Sequence, residues 1–277
     1  MDILTAILLG IIEGVTEFLP VSSTGHLTIA EKLLGMSIDD PGVTAFTAII
    51  QIGAIAATLV YFRRDIVRIA AAWFGGLFDA GRRGLDYRFG WAVILGSVPI
   101  GIVGFLFRNQ IETTLRSLWL VAVALIGWSI VMWLADHYAK QAKKESDVRW
   151  KDTLIIGLVQ CIALIPGVSR SGATISAGLL RDFDRVTATR LSFFLAIPAL
   201  VAAGTFEAAT RSGNISASVG WIPTAVATIV SFFVAYASIA WLLKFVAHHT
   251  FNLFVVYRIV LGIALIALLT TGTVSAT

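Results

Sequence analysis

The sequence predicts an all-α integral membrane protein, with six transmembrane helices and two re-entrant helix-loop-helix pairs arranged as an inverted-topology repeat. Three observations carry that expectation. The 277 residues are 57% hydrophobic and only 14% charged, with a mean hydropathy of +0.86, whereas a soluble domain carries about 25% charged residues. Six apolar runs have the roughly 20-residue length that a spanning helix needs. The chain also matches itself without gaps when shifted by 147 residues. The composition excludes an ordinary soluble enzyme, a disordered chain, collagen and a disulfide scaffold. The one cysteine, Cys161, sits in an apolar stretch and is expected as a small buried hydrophobe.

Along the chain, residues 3–34 are apolar but interrupted by Pro20-Val21-Ser22-Ser23-Thr24-Gly25-His26, which predicts two short helices joined at a loop. Spans are expected at 43–62, 91–108 and 117–135. A second broken region, 152–181, is interrupted by Pro166-Gly167-Val168-Ser169-Arg170-Ser171-Gly172-Ala173-Thr174, and further spans follow at 188–209, 221–243 and 252–272. Neither half of a broken region comfortably crosses the bilayer, and the breaks carry polar groups that lipid cannot satisfy. Re-entrant pairs fit this better than the alternative, a Pro-kinked full span. The segment from Arg63 to Arg88 reads as an amphipathic helix on anionic lipid or as a solvated loop. All 277 residues form one membrane domain, with repeats over 1–135 and 152–277.

Charge tests this layout. The net charge of +4 and pI near 9.4 would suit nucleic acid, but long apolar runs separate the positive residues, so the expected partner is a membrane and not a nucleic acid. Segments 63–90, 136–151, 181–190 and 244–251 hold 6, 5, 3 and 1 Lys or Arg, against Lys32, Arg108, Arg116 and Arg211 on the other side. The positive-inside rule makes the first group cytoplasmic, places both termini outside and brings the two pairs in from opposite faces. The N-terminus has no basic region, and its apolar run meets Glu13 and Glu17, so it does not read as a cleavable signal peptide.

The internal match aligns Gly10, Val21, Ser22, Gly25 and Ala30 with Gly157, Val168, Ser169, Gly172 and Ala177, and Glu13 with Gln160. Shared Ser and Gly at both breaks, with opposite entry, indicate an inverted repeat, a design that places polar sites where broken helices meet.

Glu13 and Glu17 are four residues apart, on one helix face, directly before the first break. Ionisable groups in membrane segments are costly, which makes them functional candidates, although a carboxylate can also cap or pair inside a bundle. Ser22, Ser23 and Thr24 can cap the next helix, and a helix N-terminus with free N–H groups attracts anions. His26 adds a nucleophile or proton carrier. In the second break, Arg170 needs an anion, and its fork suits phosphate oxygens; an ion pair with Glu13 or Glu17 is the competing reading. Gly167 and Gly172 permit close approach while Ser169, Ser171 and Thr174 supply donors, so the loop resembles a phosphate cradle. Acid, hydroxyl and imidazole groups on one side and an anion clamp on the other suit phosphoryl chemistry.

EGVTEFLPVSSTGH and PGVSRSGAT resemble the two signature segments of the bacterial undecaprenyl-diphosphate phosphatase family, also called the bacitracin-resistance protein family, and the likeness extends over essentially the whole chain. The resemblance implies a cell-membrane hydrolase that removes the terminal phosphate from a C55 polyprenyl diphosphate, with its site open to the outer face. The monophosphate returns to peptidoglycan synthesis, and overproduction confers bacitracin resistance. It implies a divalent cation, Mg²⁺ or Ca²⁺, held by Glu13 and Glu17 or else those residues as acid and base. Ser23 or His26 is the nucleophile or activates it, and Arg170 clamps phosphate with help from Ser169, Ser171 and Thr174; a homodimer is left open. A polyprenyl-phosphate transporter or flippase on the same scaffold is the alternative, and His26 beside Ser23 speaks against it, because a carrier has no need of a nucleophile.

Overall fold

The computed structural model describes residues 1–38, 40–112 and 117–275, apart from the side chains of residues 109, 112, 207, 208, 211, 212, 214, 216 and 217. Arg116 and the Arg211 side chain, counted above on the less positive side, lie outside this description. The first helix, α1 (Ile3–Thr16), starts where the Asp2 carboxylate accepts the Thr5 N–H. At about 1.5 Å per residue it is far shorter than the roughly 30 Å hydrocarbon core. The chain then turns and restarts as α2 (Ser23–Leu33). Asp40 caps α3 (Pro41–Tyr61), with proline at the first helical position, where no N–H is needed. There follow α4 (Arg63–Phe78), α5 (Leu85–Leu106), the short α6 (Arg108–Glu112) and α7 (Leu118–Tyr138).

The second broken region forms α8 (Trp150–Gln160), a 3-10 turn over Cys161–Leu164 and α9 (Arg170–Leu180). The chain ends with α10 (Arg185–Ala217), α11 (Trp221–Val246) and α12 (Asn252–Thr270). Among the described residues, six helices are long and apolar enough to cross a membrane: α3, α5, α7, α10 over Arg185–Phe206, α11 and α12. These are the six runs expected from the sequence. Polar caps move the boundaries, as at Asp184, whose carboxylate accepts the Thr187 N–H and starts α10 three residues early. Cys161 is only partly buried, because it falls in the turn and not in a packed helix face.

Short helices pack on long ones in exchanged pairs: α1 lies on α11, and α8 lies on α5. Glycine makes both approaches close. A Cβ at Gly10 would meet the Ala227 carbonyl oxygen at 2.5 Å, and one at Gly157 would run into the Gly96 carbonyl. Gly10 and Gly157 are counterparts in the internal match. So are Ser22 and Ser169, which cap α2 and α9 with φ of 76° and 77° and accept the N–H groups of Gly25 and Gly172.

The core between the halves is aromatic, with Phe18 edge-on to Phe193 and Phe62 against Phe194. Ion pairs collect where several positive segments meet: Arg190 joins Glu145 and Asp65, Arg185 joins Asp136, Arg181 joins Asp152, and Lys144 joins Asp184. The segment after Arg63 is helical through Phe78, packs on α5 and leaves Val67, Phe74, Leu77 and Phe78 exposed.

Candidate active site

The two breaks meet. The Ser171 hydroxyl on α9 donates to the Leu19 carbonyl of the first break at 2.9 Å, and Arg170 reaches across to Glu17. Its Nη2 lies 3.2 Å from Glu17 Oε1 and 3.4 Å from the Glu17 carbonyl, while Nη1 donates to the Ser192 carbonyl on α10. The other carboxylate oxygen, Glu17 Oε2, accepts the Ser23 hydroxyl at 2.6 Å. One buried carboxylate therefore holds a guanidinium and a hydroxyl together. Arg170 Nε and Glu13 Oε1 are both buried with no hydrogen-bond partner among the described residues. Such orphans are uncommon in folded proteins and point to a group that completes them.

Glu17, Ser22, Ser23, Thr24, Gly167, Ser169 and Arg170 lie in the wall of a cavity of about 810 Å³. Its remaining wall is largely apolar and comes from α5 and α10, including Ile94, Val98, Phe105, Pro198 and Phe206, with Arg108 also lining it. Ser23 and Thr24 also line a smaller cavity of about 340 Å³, with Glu13, Glu31, Thr47 and Gln51. The two cavities share Ser23 and Thr24 and so meet at the N-terminus of α2.

Three expected site residues line neither cavity. Thr174 is fully buried and donates to the Arg170 carbonyl and the Ser192 hydroxyl; Ser171 is fully buried against Leu19. The His26 ring is held by the Ser22 carbonyl and Tyr257. Its Nδ1 is 2.8 Å from the Ser22 carbonyl and must donate there, which leaves Nε2 to accept the Tyr257 hydroxyl at 2.6 Å. The two rings stack with centroids 5.6 Å apart.

Sequence reasoning did not single out Glu31, Tyr257 or Arg258. The available signal was position: Glu31 follows the first break on the same short helix, and Arg258 is a charge inside the last apolar run. Arg258 is fully buried and donates to carbonyls of both breaks.

Glu13 and Glu17 suit a divalent cation of limited protein coordination. Among the described residues no group of three or more His, Cys, Asp or Glu side chains gathers as a metal cage. Mg²⁺ bound by one or two carboxylates and substrate phosphates needs none, and the unpartnered Glu13 Oε1 offers a free ligand oxygen.

The chain that builds this site has relatives among known proteins. The family model described as bacitracin resistance protein BacA matches residues 6–264. An undecaprenyl-diphosphatase 3 from Frankia casuarinae is 64% identical over the full length of both chains. Proteins named undecaprenyl-diphosphatase from Cutibacterium acnes and Mycolicibacterium vanbaalenii are 56% and 48% identical, again over the whole of each chain. With the match running from α1 into α12 and so taking in both breaks, the chain belongs to the bacitracin resistance protein BacA family.

Proposed function

We propose that this chain hydrolyses undecaprenyl diphosphate to undecaprenyl phosphate and inorganic phosphate, as the names of its relatives indicate. The observation that carries the reading is the Glu17 carboxylate shared between the Ser23 hydroxyl and Arg170. The diphosphate lies against Arg170, whose unpartnered Nε is available to a phosphate oxygen. The α2 and α9 N-termini add N–H groups facing the same anion. The prenyl chain runs along the apolar wall from α5 and α10.

Ser23 Oγ attacks the terminal phosphorus as its proton passes to Glu17, and the bond from that phosphorus to the bridging oxygen breaks. The lipid monophosphate leaves with the bridging oxygen. Glu17 passes that proton to the departing lipid phosphate; water then attacks the phosphoserine as its proton goes to Glu17, the bond from phosphorus to Ser23 Oγ breaks, and Glu17 returns the proton to Oγ as inorganic phosphate departs. Glu13 and Glu17 would hold a divalent cation, which would supply charge neutralisation at the phosphate oxygens. His26, held by Tyr257 and the Ser22 carbonyl, keeps the turn that presents Ser23.

The monophosphate product re-enters cell-wall synthesis, and removal of the diphosphate, bacitracin's target, underlies the resistance in the family's description. We place the site toward the outer face of the cell membrane and both termini outside. The clustering of positive segments at the ion-pair end supports this. The exchanged packing of α1 on α11 and α8 on α5, with matching serine caps, supports an inverted repeat whose re-entrant pairs are α1–α2 and α8–α9.

Phosphate release from a long-chain polyprenyl diphosphate by purified protein, with and without chelator, tests the reading. Cation-dependent release that is strongly reduced in Arg170→Lys supports it. Folded protein that binds the lipid without releasing phosphate would overturn it in favour of lipid-phosphate transport.

A further inference from the structure

Arg258 stands near the start of α12 with none of its surface exposed. Its partners among the described residues are carbonyls and one hydroxyl, with no carboxylate. Nη1 donates to Pro20 at 3.2 Å, and Nη2 is 2.9 Å from the Gly167 carbonyl and 3.1 Å from that of Val168, with longer reaches to Leu125 and Ala124. Nε donates to the Ser129 hydroxyl of α7 at 3.0 Å.

Burying an ionised group without a counter-ion is costly, and an apolar residue would fill a spanning helix at less expense. The geometry points to what offsets that cost. Non-helical backbone at membrane depth leaves carbonyls that lipid cannot satisfy. Pro20 lies two residues before Ser22, and Val168 immediately before Ser169, both at positive φ. One planar group with five donors serves the carbonyls of both breaks at once, which two separate hydroxyls would not do. Because the guanidinium is rigid, it fixes the distance between the carbonyls as well as satisfying them.

We propose that Arg258 is a positioning residue for phosphoryl transfer, setting the separation of the break that carries Ser23 from the break that carries Arg170 without touching substrate. The role rests on the phosphatase reading above, but the geometry it predicts can be measured without turnover. Ser23 and Arg170 sit on different breaks, so attack requires the two to hold register, and a shift of about 1 Å can cost a hundredfold in rate.

The test uses full-length protein in nanodiscs, comparing wild type with Arg258→Lys and the milder Ser129→Ala. Spin labels at Leu33 and Leu180, exposed at the far ends of α2 and α9, in a Cys161→Ser background, report how the two helices that follow the breaks are placed relative to each other. The expected result for Arg258→Lys is a broadened or displaced distance distribution and a kcat lowered about a hundredfold, with KM little changed because Arg170 still binds phosphate. Ser129→Ala, which frees only Nε, should move both readouts in the same direction by less, and it keeps the test intact if the lysine variant does not fold. An unchanged distance distribution in folded variants overturns the proposal, as does wild-type kcat per folded molecule. If wild type itself releases no phosphate, the phosphatase reading fails and the distances alone decide the positioning role.

Discussion

Arg170 on α9 and Glu17 at the end of α1 are 153 residues apart in sequence and 3.2 Å apart in space, as an ion pair with side-chain exposures of 11% and 4%. A pair so buried is weak support for stability, since desolvation offsets much of the attraction. Under the proposed mechanism it has a use: Glu17 would hold the Arg170 clamp in place while its second oxygen accepts from Ser23.

Arg170→Lys should keep a positive charge facing Glu17 yet lose the fork, lowering kcat/KM by roughly 10²–10³, the usual cost of removing a donor aimed at developing charge. Arg170→Ala should do at least as much, and by stranding Glu17 it should also lower the melting temperature. Kinetics and melting on the same preparations check both; a lysine variant with wild-type kcat/KM removes the clamp from the mechanism.

Glu13→Gln should raise the cation concentration needed for half-maximal activity while leaving the Ser23–Glu17 hydrogen bond intact. Titration of Mg²⁺ and Ca²⁺ against phosphate release, with Mn²⁺ binding followed by electron paramagnetic resonance, checks it. Unaltered Mn²⁺ affinity would assign the carboxylate to packing. Glu17→Gln should abolish turnover at every cation concentration, because the proton acceptor for Ser23 is gone.

Rapid acid quenching should trap a phosphorylated enzyme in wild type and none in Ser23→Ala. His26→Ala and Tyr257→Phe act through one contact, the 2.6 Å bond between Nε2 and the hydroxyl. Their effects on kcat should therefore be non-additive in a double-mutant cycle. Additive losses would mean that the imidazole works independently of Tyr257.

Gly157→Val should destabilise the fold by at least the roughly 1–3 kcal/mol of an overpacked core, because its side chain would collide with the Gly96 backbone. Thermal unfolding in detergent measures it. The same change at Gly101, which has open space around it, is the control.

Asp184 links stability to pH on the ion-pair side. Burial pushes its carboxyl up, but bonds from Lys144 and Thr187 prevail and hold it below the usual value. Its contribution is complete above the ordinary Asp pKa of about 3.9 and is lost as pH falls through the lower native value. Asp184→Ala should cost about 0.5–2 kcal/mol at neutral pH through the lost cap. It should also flatten the acid limb of a melting profile taken from about pH 5 downward.

The spans and both breaks were legible in the sequence, because length, apolarity and Pro, Gly and Ser punctuation are local properties. Glu17 and Arg170 were legible as candidates through the cost of placing a charge in an apolar segment, and Ser23 through its place in the polar break. The directions of Ser171, Thr174 and His26 were not. Each follows from a neighbour far along the chain: Leu19, Ser192 and Tyr257. Arg258 was hidden for the same reason, since a charge in a spanning helix does not disclose that its partners are carbonyls 90 and 238 residues away.

That last separation bears on biosynthesis. Translation delivers Glu17 and Ser23 to the membrane early and Arg258 late, in the final helix. Until α12 arrives, the carbonyls of Pro20, Gly167 and Val168 lack the donor that ties them together. A chain that stops before α12 would carry Glu17, Ser23 and Arg170 without that tie, so on the proposed role of Arg258 it should show little turnover until α12 has inserted.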